Sequence, residues 1–247
     1  MTQIASPQNP KLKALRRLHT RRERGRSGRF LAEGEDLVAA AKLSGRPVLE
    51  GYRLAGSALG DDDFHDVERS ALAAVSTLGS STRLLAVYEQ RWSPPVGPLC
   101  VYLHGVGDPG NLGTVLRSAQ AFGASCVALG PGCADPHSPK AVRASMGAIF
   151  AVALARVQDV AELPGERVAL VAGASETLRQ PAEPGREITL LVGAEREGLP
   201  PELVAACERS ARIPIASESL NAAMAATVAL YELTRRGGRD IDTVTAS

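Results

Sequence analysis

Short apolar runs alternate with longer amphipathic stretches along this chain. Leu12, Leu15 and Leu18 recur at helical spacing among basic residues, which predicts a helix over 10–24. Residues 29–32 read as a strand that Gly34 ends, and 35–43 as a second helix. Strands are expected at 48–54 and 84–88, an acidic loop or helix start at Asp61, Asp62 and Asp63, and a helix over 67–78. In the second half the pattern is stronger. Strands at 100–103, 126–129, 151–154, 168–171, 188–192 and 211–215 alternate with helices at 112–122, 139–146 and 200–207. A last helix begins near Ser219, an expected N-cap, with Leu220, Met224, Val228 and Tyr231 as its apolar stripe. Gly237 and Gly238 end it. Continuous apolar strands each followed by a helix predict a largely parallel sheet covered on both faces.

Between the halves lies Trp92-Ser93-Pro94-Pro95-Val96-Gly97-Pro98, where three prolines and a glycine disfavour regular structure. The expected division is a small α/β domain over 1–94 and a larger one over 99–247. Composition adds limits. Of 247 residues 45% are hydrophobic and 22% charged, an ordinary globular balance. No apolar run approaches the roughly 20 residues of a membrane span, and the N-terminus lacks a signal-peptide core. Cys100, Cys126, Cys133 and Cys207 have no metal-ligand spacing. A reduced, cytoplasmic protein without metal is expected.

Charge changes the picture more. The net charge is only +1, yet residues 1–30 carry Lys11, Lys13, Arg16, Arg17, Arg21, Arg22, Arg24, Arg26 and Arg29 against Glu23 alone. Such a cluster is the electrostatic footprint of nucleic-acid binding. Lys11, Lys13, Arg16, Arg17, Arg21, Arg22 and Arg29 are the candidate contacts. With 4% aromatic residues a base-stacking platform is not expected, so recognition should rest on phosphates and shape.

Three stretches at loop ends bear candidate chemistry. In Asp108-Pro109-Gly110-Asn111-Leu112-Gly113, a strand turns into a helix that Asn111 is placed to cap, with Arg117 about a turn and a half further on. Neither a dinucleotide fingerprint nor a P-loop is present. In Gly193-Ala194-Glu195-Arg196-Glu197-Gly198, two glycines let a flat ligand lie on the backbone. In Ile213-Pro214-Ile215-Ala216-Ser217-Glu218-Ser219-Leu220-Asn221, a helix N-terminus offers free N–H groups to an anion.

Taken in order, Asn111 with Arg117, Gly193-x-Glu195-x-x-Gly198, and Ile213-Pro214 with Ser219-Leu220-Asn221 resemble the three motifs of the SpoU (TrmH-like) RNA 2′-O-ribose methyltransferases of the SPOUT superfamily. The stretch from Ser138-Pro139-Lys140 to Met146-Gly147-Ala148 looks similar too. Ser6-Pro7-Gln8-Asn9-Pro10 and Arg29-Phe30-Leu31-Ala32-Glu33-Gly34 resemble the substrate-binding domain of its rRNA-acting branch. Asp108 stands where Asn is common, and Ala222-Ala223-Met224 replaces a usual Val-Ser-Val; neither removes a functional side chain.

The resemblance implies a catalytic domain with a deep trefoil knot, an exception to usual chain connectivity. It implies a ribosomal-protein-like N-terminal RNA-binding module and a homodimer whose site the partner completes. S-adenosyl-methionine would be held around Gly193, Gly198, Ile213, Ile215 and Leu220. Arg117 would activate the ribose hydroxyl, with Asn111, Glu195, Ser219 and Asn221 orienting ligand and loops. Arginine is a poor base in water, with a pKa of about 12.5–13.8. Either a cationic site lowers that value, or Arg117 fixes a phosphate and stabilises alkoxide charge. Ribosomal RNA is the expected substrate; the alternatives are tRNA and a non-catalytic RNA-binding module.

Overall fold

A computed structural model describes residues 3–78, 82–179, 185–216 and 220–235. A four-stranded sheet forms from β1 (Arg29–Glu33), β2 (Glu50–Leu54), β3 (His65–Val67) and β4 (Leu84–Glu89), in the order β1-β4-β2-β3. Around it lie α1 (Pro10–Arg17), α2 (Arg21–Ser27), α3 (Glu35–Leu43) and α4 (Arg69–Ala73). The second sheet contains β5 (Leu99–Leu103), β6 (Cys126–Leu129), β7 (Ala153–Arg156), β8 (Glu166–Leu170), β9 (Ile188–Val192) and β10 (Arg209–Ala211). All its pairings are parallel, in the order β10-β8-β9-β5-β6-β7. Helices α5 (Pro109–Ala121), α6 (Pro139–Ala144), α7 (Ala148–Ala151), α8 (Pro201–Ala205) and α9 (Ala222–Thr234) complete it. β9 is buried at every position, as its apolar run predicts, and its one polar residue, Thr189, donates to Pro164 O at 2.6 Å.

Local chemistry moves several expected boundaries. The expected helix over 10–24 is two helices, because Thr20 N-caps α2 through the N–H of Glu23. The expected helix over 67–78 is the end of β3 followed by the short α4. The strand expected at 211–215 is β10, which stops at Ala211 just before Ile213-Pro214. Asn221, not Ser219, caps α9: its Oδ1 accepts from the N–H groups of Ala223 (2.9 Å) and Met224 (3.3 Å). Residues 217–219 lie outside the described residues. The stripe of α9 is also inverted. Ala222, Ala223, Ala226, Ala229, Leu230 and Leu233 face the core, while Met224 is 61% and Tyr231 54% exposed. Alanines let α9 approach α5 closely, and the bulky residues are left outside.

One apolar cluster runs across both sheets. Phe30, Tyr88 and Phe150 meet at ring separations of 4.8–5.9 Å, together with Ala32, Leu37, Val142 and Ile149. Arg24 is buried and donates twice to Asp135 Oδ2, at 2.9 and 2.6 Å, and once to Leu18 O. It thereby joins α2 to the loop after β6. His137, on that loop, is enclosed by Phe30 and Trp92.

Burial pulls the His137 pKa down to about 4, against the opposing charge of Asp135 and with help from Arg24, Arg156 and Arg46. An unfolded histidine titrates near 6.5, so between these values the unfolded chain binds the extra proton. Stability should therefore fall as pH drops through that window, by on the order of 2 kcal/mol near pH 5 relative to pH 7.5. Denaturant unfolding of wild type and His137→Gln at both pH values checks this: the variant should show a flatter dependence.

Candidate active site

The site forms at the C-terminal edge of the parallel sheet, where loops after β5, β9 and β10 converge. Asp108 caps α5 by accepting from the backbone N–H of Asn111 at 2.9 Å, so the expected capping role of Asn111 belongs to Asp108. The ammonium of Lys140, at 2.6 Å, and that N–H hold the Asp108 carboxyl below its usual range. This leaves the Asn111 side chain free. Its Nδ2 donates to Glu195 Oε1 in a short hydrogen bond, and Asn221 Nδ2 donates to the same oxygen at 2.7 Å. Asn221 Nδ2 also lies 3.2 Å from Asn111 Oδ1. Residues from three separate loops thus close on one carboxylate. The α9 N-terminus is not an open anion site as expected, since Asn221 occupies two of its N–H groups.

Beside this cluster is a pocket of about 150 Å³ that opens to solvent. Gly193, Gly198, Ile213, Ile215 and Leu220 all line it, as does Glu195. A Cβ at Gly193 would collide with the backbone of Gly198 and Leu199. Gly198 has φ +68°, where L side chains are strained, and its N–H donates to Ala194 O at 2.9 Å. The loop is thus a tight backbone cradle with no side chain on its floor. A second pocket, of about 180 Å³, contains Gly105, Gly107, Asn111 and Glu197, and shares Ala194, Glu195 and Ala222 with the first. Glu195 stands between the two.

Other predicted residues lie apart. Arg117 is exposed on α5 and makes no hydrogen bond or ion pair with a described residue. It lines neither pocket. Ser219 lies outside the described residues. Of the basic cluster, Lys11, Lys13, Arg17, Arg21, Arg22 and Arg29 are exposed on α1, α2 and β1. Arg16 donates to Pro7 O, Lys11 contacts His65, and Arg29 pairs loosely with Glu50. Lys140 sits at the rim of the site and was not among the predicted residues; only its place in the 138–148 stretch could have suggested it.

A family model described as the SpoU rRNA Methylase family matches residues 98–231, more than half of the chain. The chain belongs to this family. A second model, the MRM3-like substrate binding domain, matches residues 9–86 of this methylase-family chain. Its relatives include the 23S rRNA (guanosine(2553)-2′-O)-methyltransferase RlmP of Bacillus subtilis, 31% identical over 94% of this chain and 99% of that protein. Similar solved structures include the AdoMet-bound rRNA methyltransferase of Sinorhizobium meliloti, with TM-score 0.84, 31% identity, and 95% and 97% of the two chains covered. Another is the SpoU methyltransferase AviRb of Streptomyces viridochromogenes with AdoMet, at TM-score 0.81, 26% identity, and 92% and 98% coverage. The cofactor of the family, S-adenosyl-methionine, suits a pocket with a glycine floor. Among the described residues no helix is long and apolar enough to cross a membrane.

If the cradle is required, Gly193→Ala should force Gly198 and Leu199 aside and weaken S-adenosyl-methionine binding at least tenfold, or about 1.4 kcal/mol. Calorimetric titration of the folded variant measures it.

Proposed function

We propose that this chain transfers a methyl group from S-adenosyl-methionine to a ribose 2′-hydroxyl of RNA, with ribosomal RNA as substrate. The observation that carries the reading is the closure of Asn111, Glu195 and Asn221 beside the glycine-floored pocket. Support comes from relatives whose names state 2′-O-methylation of 23S rRNA. In this reading residues 1–94 bind RNA through the exposed cations of α1 and α2, and 99–247 form the methyltransferase part. The chain would work in the cytoplasm, where ribosomal RNA is found.

When bound, S-adenosyl-methionine supplies a methyl group already activated on a sulfonium. The protein must then align the ribose hydroxyl and help its proton leave. Gly193 and Gly198 keep the pocket floor flat, and Ile213, Ile215 and Leu220 supply apolar walls. Asn111 and Asn221 fix the Glu195 carboxylate at the border between the cofactor pocket and the second pocket, which suits the ribose. Ser219 is assigned to the same loop-orienting set. Arg117 meets the RNA: its exposed guanidinium can hold a phosphate by two hydrogen bonds and stabilise charge growing on the ribose oxygen.

A homodimer is part of this reading. Met224, Val228 and Tyr231 form an exposed apolar stripe on α9. That helix packs on the helix of Arg117 through Ser118–Thr227 at 2.6 Å and Phe122–Tyr231 at 6.1 Å. Pairing copies along the stripe would cover it and bring Arg117 towards the partner's site. We also infer the trefoil knot. The strand order supports it: β10 lies at one sheet edge, and the following segment must return to place Leu220 in the cofactor pocket and α9 on α5.

Arg117→Ala should abolish methyl transfer while cofactor affinity stays within about threefold, under 0.7 kcal/mol. Arg117→Lys should also fail, because an ammonium lacks the planar fork. Single-turnover methylation of saturating RNA, beside calorimetric cofactor binding, measures both. Near wild-type rates in the Ala variant would assign Arg117 to structure. For the dimer, Tyr231→Asp combined with Met224→Asp should give a monomer by light scattering at micromolar concentration.

A further inference from the structure

A further cleft, of about 650 Å³, opens between α2 and the loop that follows β6. Arg21 and Arg22 form one wall, and Trp92 and Arg156 line it as well. Gly130, Pro131 and Gly132 line it with little side chain, and a Cβ at Gly130 would collide with the ring of Tyr102. The guanidinium of Arg156 lies 4.0 Å over the Trp92 indole, and His137 meets that indole edge-on at 5.3 Å. Trp92 is thus held in place, and Arg156, exposed and without a hydrogen bond or ion pair to a described residue, lies over its ring.

The charge of the cleft is one-sided. Among its described lining residues the acid is Asp135, already engaged by Arg24. Arg21, Arg22 and Arg156 therefore face the cleft with no counter-charge from its walls. The cleft also adjoins the active site. Pro131 O accepts from Gly105 N, and Ala134 N donates to Val106 O, both at 2.9 Å. Gly105, Val106 and Gly107 border the second pocket beside Asn111 and Glu195.

We propose that this cleft binds a single-stranded RNA nucleotide flanking the methylated one, with phosphates on Arg21 and Arg22 and its base on the Arg156–Trp92 stack. The inference rests on the RNA methyltransferase reading, whose acceptor strand must leave the second pocket in some direction. Uncompensated cations beside a planar cation on an aromatic ring match a phosphodiester-linked base. A small apolar ligand would find no enclosed apolar wall here, and a bare anion would have no use for the stack. Neither Trp92 nor Arg156 was expected as a contact, and the low aromatic content pointed away from stacking. One well-placed indole is enough to provide it.

Trp92 is the sole tryptophan of the chain, so its emission reports on this cleft. Titrating the full chain with a short, labelled oligoadenylate should quench that emission, while S-adenosyl-methionine alone should leave it unchanged. Arg156→Glu should weaken oligonucleotide binding, read by anisotropy, by about tenfold or more. It should leave the melting temperature and cofactor affinity unchanged. Arg156→Lys, which keeps charge but not the plane, should recover only part of the affinity. The proposal is overturned if the oligonucleotide does not bind, or if it binds with Trp92 silent and Arg156→Glu at wild-type affinity. A chain that shows the quench and the Arg156→Glu loss, yet neither binds S-adenosyl-methionine nor methylates RNA, would keep the cleft and refute the enzyme reading. The reverse result, methylation with Trp92 silent and Arg156→Glu at wild-type affinity, would refute the cleft alone.

Discussion

Glu195 receives hydrogen bonds from two amides that begin two different helices, and the geometry of the site depends on that shared acceptor. A charged acceptor makes these bonds stronger than neutral ones. The arrangement is possible because neighbouring residues perform the capping tasks. Asp108 caps α5 by accepting from the backbone N–H of Asn111, and the Asn111 side-chain amide is left free for Glu195. Asn221 uses its oxygen on α9 and its NH₂ on Glu195, so one side chain fixes the helix start and the carboxylate together. The glycine cradle then determines where Glu195 can sit, because Gly193 and Gly198 close the loop too tightly for any other residue at 193. Small displacements of this kind matter, since reacting groups held an ångström out of place lose orders of magnitude in rate.

The N-terminal part is packed on the methyltransferase part, not merely strung to it. Phe30, Tyr88 and Phe150 share one core, and the Arg24–Asp135 pair is buried between α2 and the loop after β6. A buried pair of this kind contributes little net stability, but losing one partner leaves an isolated charge and costs several kcal/mol. It therefore acts mainly as a registration device, setting α2 at one distance from the sheet edge. In the proposed reading, RNA held by the exposed cations of α1 and α2 would then reach Asn111 and Glu195 at a constant spacing. His137, neutral and enclosed in the same contact, places a pH-sensitive group at this junction.

The parallel sheet was legible because its central strands are largely apolar runs, buried throughout at β9. The five residues that the family resemblance assigns to the cofactor, Gly193, Gly198, Ile213, Ile215 and Leu220, line one cavity. Failures occurred where a local signal competed with a longer pattern. Thr20 and Glu23 mark a helix start inside what reads as one basic helix, and capping overrode the leucine spacing. On α9 the large residues looked like the buried stripe, yet close packing against α5 selected alanine. The Arg156–Trp92 stack has no signature at all, because it joins a linker to the end of β7 and exists only after the chain folds.

A division among the polar residues follows from these contacts. Asn111, Glu195, Asn221, Asp108 and Lys140 satisfy one another within the chain, so their positions are set before any ligand arrives. Arg117, Arg21, Arg22 and Arg156 make no hydrogen bond or ion pair to a described residue, and all are exposed. An exposed cation without a protein partner costs the fold little, since water solvates it. When a polyanion binds, such a cation displaces condensed counterions, which is a large favourable term in nucleic-acid association. Residues that are internally satisfied can hold a geometry, and residues that are not can recognise charge from outside. In the proposed reading, that distribution would separate the pre-set pocket for the methyl donor from the open, cationic surface for RNA, with the chemistry at their shared border beside Glu195.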